Sequence, residues 1–244
     1  MNTLAERYAI VQERILRAAQ RAGRNAADIT LVAVTKTWPP ETVVAAYEAG
    51  MRHFGENRVE ELGEKRPYLA TTLPNATDIT WHLIGTLQSR KTAPAAAHAD
   101  IFHALDRLKI ANRLNEQRPE SAPPLPVFLE VNTSGEESKS GFNATRWEAD
   151  TAQQDRLREI VTAVTTLPHL QLVGLMTMAP WDAPQAEIHT VFRRTRELAC
   201  WLETAVPHLT LPHLSMGMTD DFEIAIAEGA THIRVGRAIF GERT

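Results

Sequence analysis

The stretch Ile29-Thr-Leu-Val-Ala-Val-Thr35 is an unbroken run of apolar and β-branched residues, and Lys36 closes it with a primary amine. A run of this length and composition reads as a buried β-strand. Ahead of it, Leu4, Tyr8, Val11 and Ile15 recur at spacings of three and four, which predicts an opening helix that stops near Gly23. Behind it, apolar runs of strand length return at about 51–54, 79–84, 101–105, 126–132, 171–176, 210–214 and 231–235. Helical patterns fill the intervals, over 42–49, 56–69, 87–98, 108–117, 157–166, 188–202 and 222–228. Strands that alternate with helices imply parallel βαβ units. Eight such units favour closure into a single (β/α)8 TIM barrel, an α/β fold here preceded by an additional N-terminal helix, with residues 1–244 as one domain.

Local punctuation supports these boundaries. Asp106 and Asp220 each follow a strand closely and are expected as helix N-caps, the second in a capping-box pair with Glu223. Prolines at 119, 123, 124 and 126 precede the fifth strand, and Pro207 and Pro212 surround the seventh. The polar segment 143–154, with Trp147 as its only large apolar residue, is expected to be a surface excursion.

Composition narrows the function classes. Twenty-six Lys and Arg against 30 Asp and Glu give a net charge of −4, so no global basic field draws in nucleic acid or anionic lipid. The single cysteine, Cys200, excludes an intrachain disulfide and a multi-cysteine metal cluster, and its helical setting predicts a buried or half-buried thiol. The first residues are charged without an apolar leader segment, and no apolar stretch is long enough to span a bilayer, so a cytoplasmic protein is expected. His82 lies within the third strand and reads as a hydrogen-bonded core histidine, with no second histidine at a metal-ligand spacing.

In a barrel of this kind the site forms at the C-terminal ends of the strands. Lys36 stands at such an end, as do Glu56 and Asn57, Gly85, the run Asn132 to Gly135, and Met176 with Thr177. After the last two strands come Ser215-Met-Gly-Met-Thr219 and Arg234-Val-Gly-Arg-Ala238, where glycine lets backbone N–H groups approach an anion closely. An amine leaving an apolar strand loses solvation, which favours the free base needed for condensation with an aldehyde. An amine beside a phosphate site is the pairing that bound pyridoxal phosphate requires.

Val34-Thr-Lys36, His53-Phe-Gly-Glu-Asn57, Trp81-His-Leu-Ile-Gly-Thr-Leu-Gln-Ser-Arg-Lys91, Glu137-Ser-Lys-Ser-Gly141, Gly174-Leu-Met-Thr177, Leu214-Ser-Met-Gly-Met218 and Arg234-Val-Gly-Arg-Ala-Ile-Phe-Gly-Glu-Arg243 together resemble the pyridoxal phosphate homeostasis protein family, from about residue 5 onward. The resemblance implies a fold-type III barrel related to the N-terminal domain of alanine racemase, with pyridoxal 5'-phosphate as cofactor and no robust turnover attached to the family. It implies that Lys36 forms the internal aldimine, that Ser215 and Gly217 with the backbone of Gly236 and Arg237 hold the phosphate, and that Asn57 and Met176 lie beside the cofactor. Arg234 is implied to face the pyridine nitrogen. A guanidinium there donates to the ring without leaving a proton on it, which makes the ring a poorer electron sink.

The implied role is a carrier that sequesters the aldehyde and passes it to apo-enzymes; no patch in the sequence demands a dimer, so a monomer is expected, and the charge balance predicts no nucleic-acid or membrane partners. The alternative is an amino-acid racemase of the same fold type. Two positions depart from the family pattern: Arg58 where tyrosine is common, and Arg237 where a small hydroxyl residue is common. Lys139, in the loop after the fifth strand, is a candidate second amine.

Overall fold

The computed structural model describes residues 2–136 and 140–242. The chain opens with α1 (Leu4–Arg21), and the strands are β1 (Thr30–Val34), β2 (His53–Glu56), β3 (Thr80–Leu83), β4 (Ile101–Leu105), β5 (Leu125–Asn132), β6 (Phe142–Asn143), β7 (Leu170–Met176), β8 (His213–Ser215) and β9 (His232–Val235). All pairings are parallel, and β1 pairs both β2 and β9 while β4 pairs β5, so eight strands close into a barrel. The two-residue β6 adds to β5 outside that ring. Helices α2 (Pro40–Glu48), α3 (Val59–Thr72), α4 (Thr92–His98), α5 (Leu108–Gln117), α6 (Thr151–Thr165), α7 (Gln185–Ala205), α8 (Phe222–Ala227) and α9 (Arg237–Phe240) follow successive strands. The expected TIM barrel with an N-terminal helix is the observed fold.

Helix α1 begins with a full capping box, in which the Glu6 N–H donates to Thr3 Oγ1 and the Thr3 N–H to the Glu6 carboxylate. It ends where expected. Gly23 takes φ +65, and the N–H groups of Gly23 and Arg24 return to the carbonyls of Gln20 and Ala19, the reciprocal pair of a Schellman turn. The helix is fastened across the end of the chain, since Arg24 donates to the Ile226 and Ala230 carbonyls and Arg14 pairs with Glu223 at 2.7 Å. It therefore braces the β9–β1 junction that closes the barrel.

Several boundaries differ from expectation for identifiable reasons. The second strand starts at His53 because Gly50, at φ +102, ends α2 and leaves Met51 and Arg52 as a connection. The seventh barrel strand starts at His213, after Pro212, which lacks a ladder N–H. In the 87–98 interval only Thr92–His98 is α-helical, with Pro94 in its first turn where proline is tolerated. The segment 143–154 is only partly an excursion: Asp150 caps α6 through the Gln153 N–H, and Trp147 is buried beside Trp201. Neither Asp106 nor Asp220 is an N-cap. Arg107 and Asp221 occupy those positions, while the Asp106 and Asp220 carboxylates pair with Arg107 and Arg237. Cys200 is exposed on α7, on the face away from Leu198, Ala199 and Leu202.

Between strands and helices the core is apolar, with Phe54, Leu62, Phe102, Ile110 and Leu114 fully buried. Inside the barrel it is not. His82 of β3 and His232 of β9 lie 6.1 Å apart by ring centroids although two strands separate them in the sheet, so they meet across the interior. His103 stacks on Phe128 at 4.4 Å in the same space.

Candidate active site at the strand ends

A cavity of about 600 Å³ opens at the C-terminal ends of the strands, with Lys36, Asn57, Met176, Arg234, Gly236 and Arg237 in its wall. Six of the eight expected site residues are thus brought together. Ser215 and Gly217 are buried and are not among its lining residues. Lys139 lies outside the described residues.

Lys36 follows β1 directly, and the backbone on both sides of it is pinned by a buried ionic cluster. The Thr35 hydroxyl donates to Glu56 Oε1 at 2.6 Å, and the Lys65 ammonium donates to the Thr35 carbonyl at 2.9 Å, to Glu56 Oε1 at 2.8 Å and to Glu61 Oε2 at 3.2 Å. Beyond Lys36, the Thr37 N–H donates to Glu61 Oε2 at 2.6 Å, holding Thr37 at φ +69. A threonine in the left-handed region is strained and persists because its surroundings impose it. Burial pushes the Glu56 carboxyl up to about 7 against the opposing pull of Lys65 and Thr35. Sequence reading placed Glu56 at a strand end but missed Lys65, which is buried on α3.

Arg234 is 5% exposed and immobilised. Its Nη1 donates to Ser215 Oγ at 2.6 Å, its Nη2 to the Thr177 carbonyl at 3.0 Å, and its backbone N–H to the Gly217 carbonyl at 2.9 Å. Burial lowers its pKa to about 10, which leaves it a cation at neutral pH. These two side-chain bonds use two of the five N–H groups of a guanidinium, so the group can still donate into the cavity it lines. Ser215 therefore supports Arg234 from beneath, and the hydroxyl of the glycine stretch that does line the cavity is that of Thr219.

The glycines have distinct reasons. A Cβ on Gly217, at φ +95, would lie 2.6 Å from the Ala225 Cβ and 2.9 Å from the Phe222 Cα, so this turn is packed onto α8. A Cβ on Gly85 would lie 2.3 Å from the Asn57 carbonyl oxygen, and its absence lets Asn57 take its place in the wall. Gly236 precedes α9, where the Ile239 and Phe240 N–H groups bond back to the Gly236 carbonyl. The Arg237 and Ala238 N–H groups thus have no intrahelical acceptor. The Arg237 side chain pairs with Asp220 and lies over the Trp181 ring at 5.9 Å. Arg58, the other departure, is exposed and lines a neighbouring cavity instead of this one.

Glu130 of β5 was also missed. Its Oε1 accepts from Ser140 Oγ at 2.9 Å, its Oε2 is buried without a partner, and burial raises its pKa. His82 is the expected core histidine, and its partners are His53 at 3.0 Å and His103 at 2.8 Å. Among the described residues no grouping of His, Cys, Asp and Glu fits a metal ion, and no helix is long and apolar enough to cross a membrane.

Comparison with known proteins agrees with this fold. Residues 10–244 match the family model described as alanine racemase, N-terminal domain. The pyridoxal phosphate homeostasis protein of Pseudomonas aeruginosa is 48% identical over 243 residues, 100% of this chain and 97% of the relative. The protein of the same name from Escherichia coli is 43% identical over 246 residues, 100% of this chain and 98% of the relative. The solved structure of PipY from Synechococcus elongatus, with PLP bound, superposes with a TM-score of 0.80 at 36% identity, covering 98% of this chain and 100% of that one.

Proposed function

The chain belongs to the pyridoxal phosphate homeostasis protein family, and from that premise we propose that it binds pyridoxal 5'-phosphate reversibly at the strand-end cavity and serves as its carrier and buffer. The observation that carries this reading is the convergence, from the adjacent strands β1 and β9, of a primary amine on Lys36 and a buried guanidinium on Arg234 in one cavity with the Gly236 turn. PipY, described with PLP bound, supports it.

The residues fit the group. When bound, pyridoxal phosphate supplies an aldehyde that condenses reversibly with a primary amine. Lys36 provides that amine, and the cluster of Lys65, Glu56 and Glu61 fixes the backbone from which it projects. The N–H groups of Arg237 and Ala238, which have no intrahelical acceptor, would hold the phosphate, and Thr219 in the same cavity wall would add a hydroxyl. Asn57 and Met176, in the same cavity wall, would flank the ring. Arg234, held by Ser215 and Thr177, would donate to the ring nitrogen while keeping its own proton, which would restrain carbanion chemistry and favour holding over turnover.

Delivery to apo-enzymes, a monomeric state and a cytoplasmic location complete the proposal. The lone Cys200 and the net charge of −4 support a reducing compartment without nucleic-acid or membrane partners. The test is the absorption spectrum of the purified protein with pyridoxal phosphate, followed by borohydride reduction and mass mapping. A modified peptide containing Lys36, lost in Lys36→Ala, is expected. Wild-type affinity and spectrum in Lys36→Ala would overturn the assignment.

A further inference from the structure

Behind Arg234 a continuous chain of hydrogen bonds crosses the barrel. Arg234 Nη1 meets Ser215 Oγ at 2.6 Å, Ser215 Oγ meets His103 Nδ1 at 2.7 Å, His103 Nε2 meets His82 Nδ1 at 2.8 Å, and His82 Nε2 meets His53 Nδ1 at 3.0 Å. Arg234 lines the cavity at the C-terminal ends of the strands, whereas His53 opens β2 at the N-terminal end and is partly exposed. Ser215, His103 and His82 are wholly buried.

The direction of this chain follows from donor chemistry. A guanidinium can only donate, so Ser215 Oγ is the acceptor in the first bond. Among the described residues the Ser215 hydroxyl meets only Arg234 and His103. If His103 donated from Nδ1, the serine proton would be buried without an acceptor, and a buried unmade hydrogen bond is costly. The serine must then donate to His103 Nδ1. A neutral imidazole that accepts at Nδ1 carries its proton on Nε2, so His103 donates to His82 Nδ1 and, by the same step, His82 donates to His53 Nδ1. Burial holds His82 and His103 in the neutral form that this order requires.

We propose that His103 is a positioning residue for Arg234, at the head of a one-directional column in which His103, His82 and His53 all carry their proton on Nε2. By taking the serine proton, His103 leaves Ser215 Oγ as a committed acceptor. That fixes the guanidinium and aims its remaining N–H groups at the cavity, and aligned bonds of this kind reinforce one another. The effect on the cofactor rests on the pyridoxal phosphate reading, whereas the proton order does not.

The first test is nitrogen-15 NMR of the histidine rings in ligand-free protein at neutral pH. Unprotonated Nδ1 and protonated Nε2 are expected for all three histidines, and a protonated Nδ1 on His103 would overturn the proposal. The second compares His103→Asn, whose amide oxygen can accept from Ser215, with His103→Leu, which cannot. The leucine variant is expected to bind pyridoxal phosphate about tenfold more weakly and to show an altered pH dependence of the bound absorption band, with the asparagine variant close to wild type. Equal effects of the two variants would overturn the positioning role. If wild-type protein bound no pyridoxal phosphate, the cofactor reading would fail, and the ring-nitrogen spectrum would still decide the column.

Discussion

The Lys65 ammonium lies 2.9 Å from the carbonyl oxygen of Thr35, the residue immediately before Lys36. A buried cation on the third helix thereby holds the end of the first strand, and the same ammonium is balanced by Glu56 and Glu61. Replacement by methionine, Lys65→Met, keeps the stem and removes the charge. It leaves the buried Glu56 carboxylate and the Thr35 carbonyl unmatched, and a loss of about 3 kcal/mol is expected in urea unfolding. Pyridoxal phosphate affinity should fall with it, because Thr35, and with it Lys36, loses its anchorage. Unchanged stability would show that the cluster does not hold the strand end.

Glu56 makes the stability of this region depend on pH. Its carboxyl titrates at about 7 in the folded protein and near 4.5 when unperturbed. Between those values the folded state holds a proton that the unfolded chain releases. Its contribution is therefore present in full below about 4.5, declines as pH rises and is lost above about 7. Glu56→Gln, which mimics the protonated form, should flatten the melting temperature across this window relative to wild type. Parallel pH profiles for the two proteins would remove Glu56 as the cause.

Gly217→Ala probes the turn beneath the cavity. The added methyl would meet the Ala225 Cβ at 2.6 Å in a residue at φ +95, so strain and overpacking act together. A loss of about 2–3 kcal/mol is expected by thermal or chemical unfolding. Because the Gly217 carbonyl accepts the Arg234 N–H, weaker cofactor binding should accompany it.

Arg237→Ser replaces the guanidinium with a small hydroxyl. The guanidinium is exposed and paired with Asp220, so its removal should change stability by less than about 1 kcal/mol. The Arg237 N–H is retained, so pyridoxal phosphate binding should persist, with a weaker dependence on salt concentration than in wild type. Loss of binding would mean that the side chain itself holds the phosphate.

Much of the site was legible because its residues stand where strands end. Lys36, Asn57, Met176 and Arg234 each stand at or just past the end of an apolar run, so periodicity placed them at one end of a barrel, and the family resemblance singled them out there as site residues. Ser215 is the instructive exception. It belongs to the same glycine stretch as Thr219, yet one hydroxyl is buried under Arg234 and the other lines the cavity, since Ser215 is the last residue of β8 and meets Arg234 and His103 inside the barrel whereas Thr219 lies in the turn beyond the strand. Glu130 was hidden inside a strand whose pattern reads simply as apolar.

The barrel, its parallel order and its strand-end cavity follow from the sequence by itself, because hydrophobic periodicity and turn residues are local properties of the chain. The clamp of Lys65 on Thr35 and the column from Arg234 to His53 do not. Those contacts join residues 30 and 112 positions apart, as in Lys65 with Thr35 and His103 with Ser215. They exist only because closure of the barrel excludes water and obliges each buried polar group to find its partner across the fold.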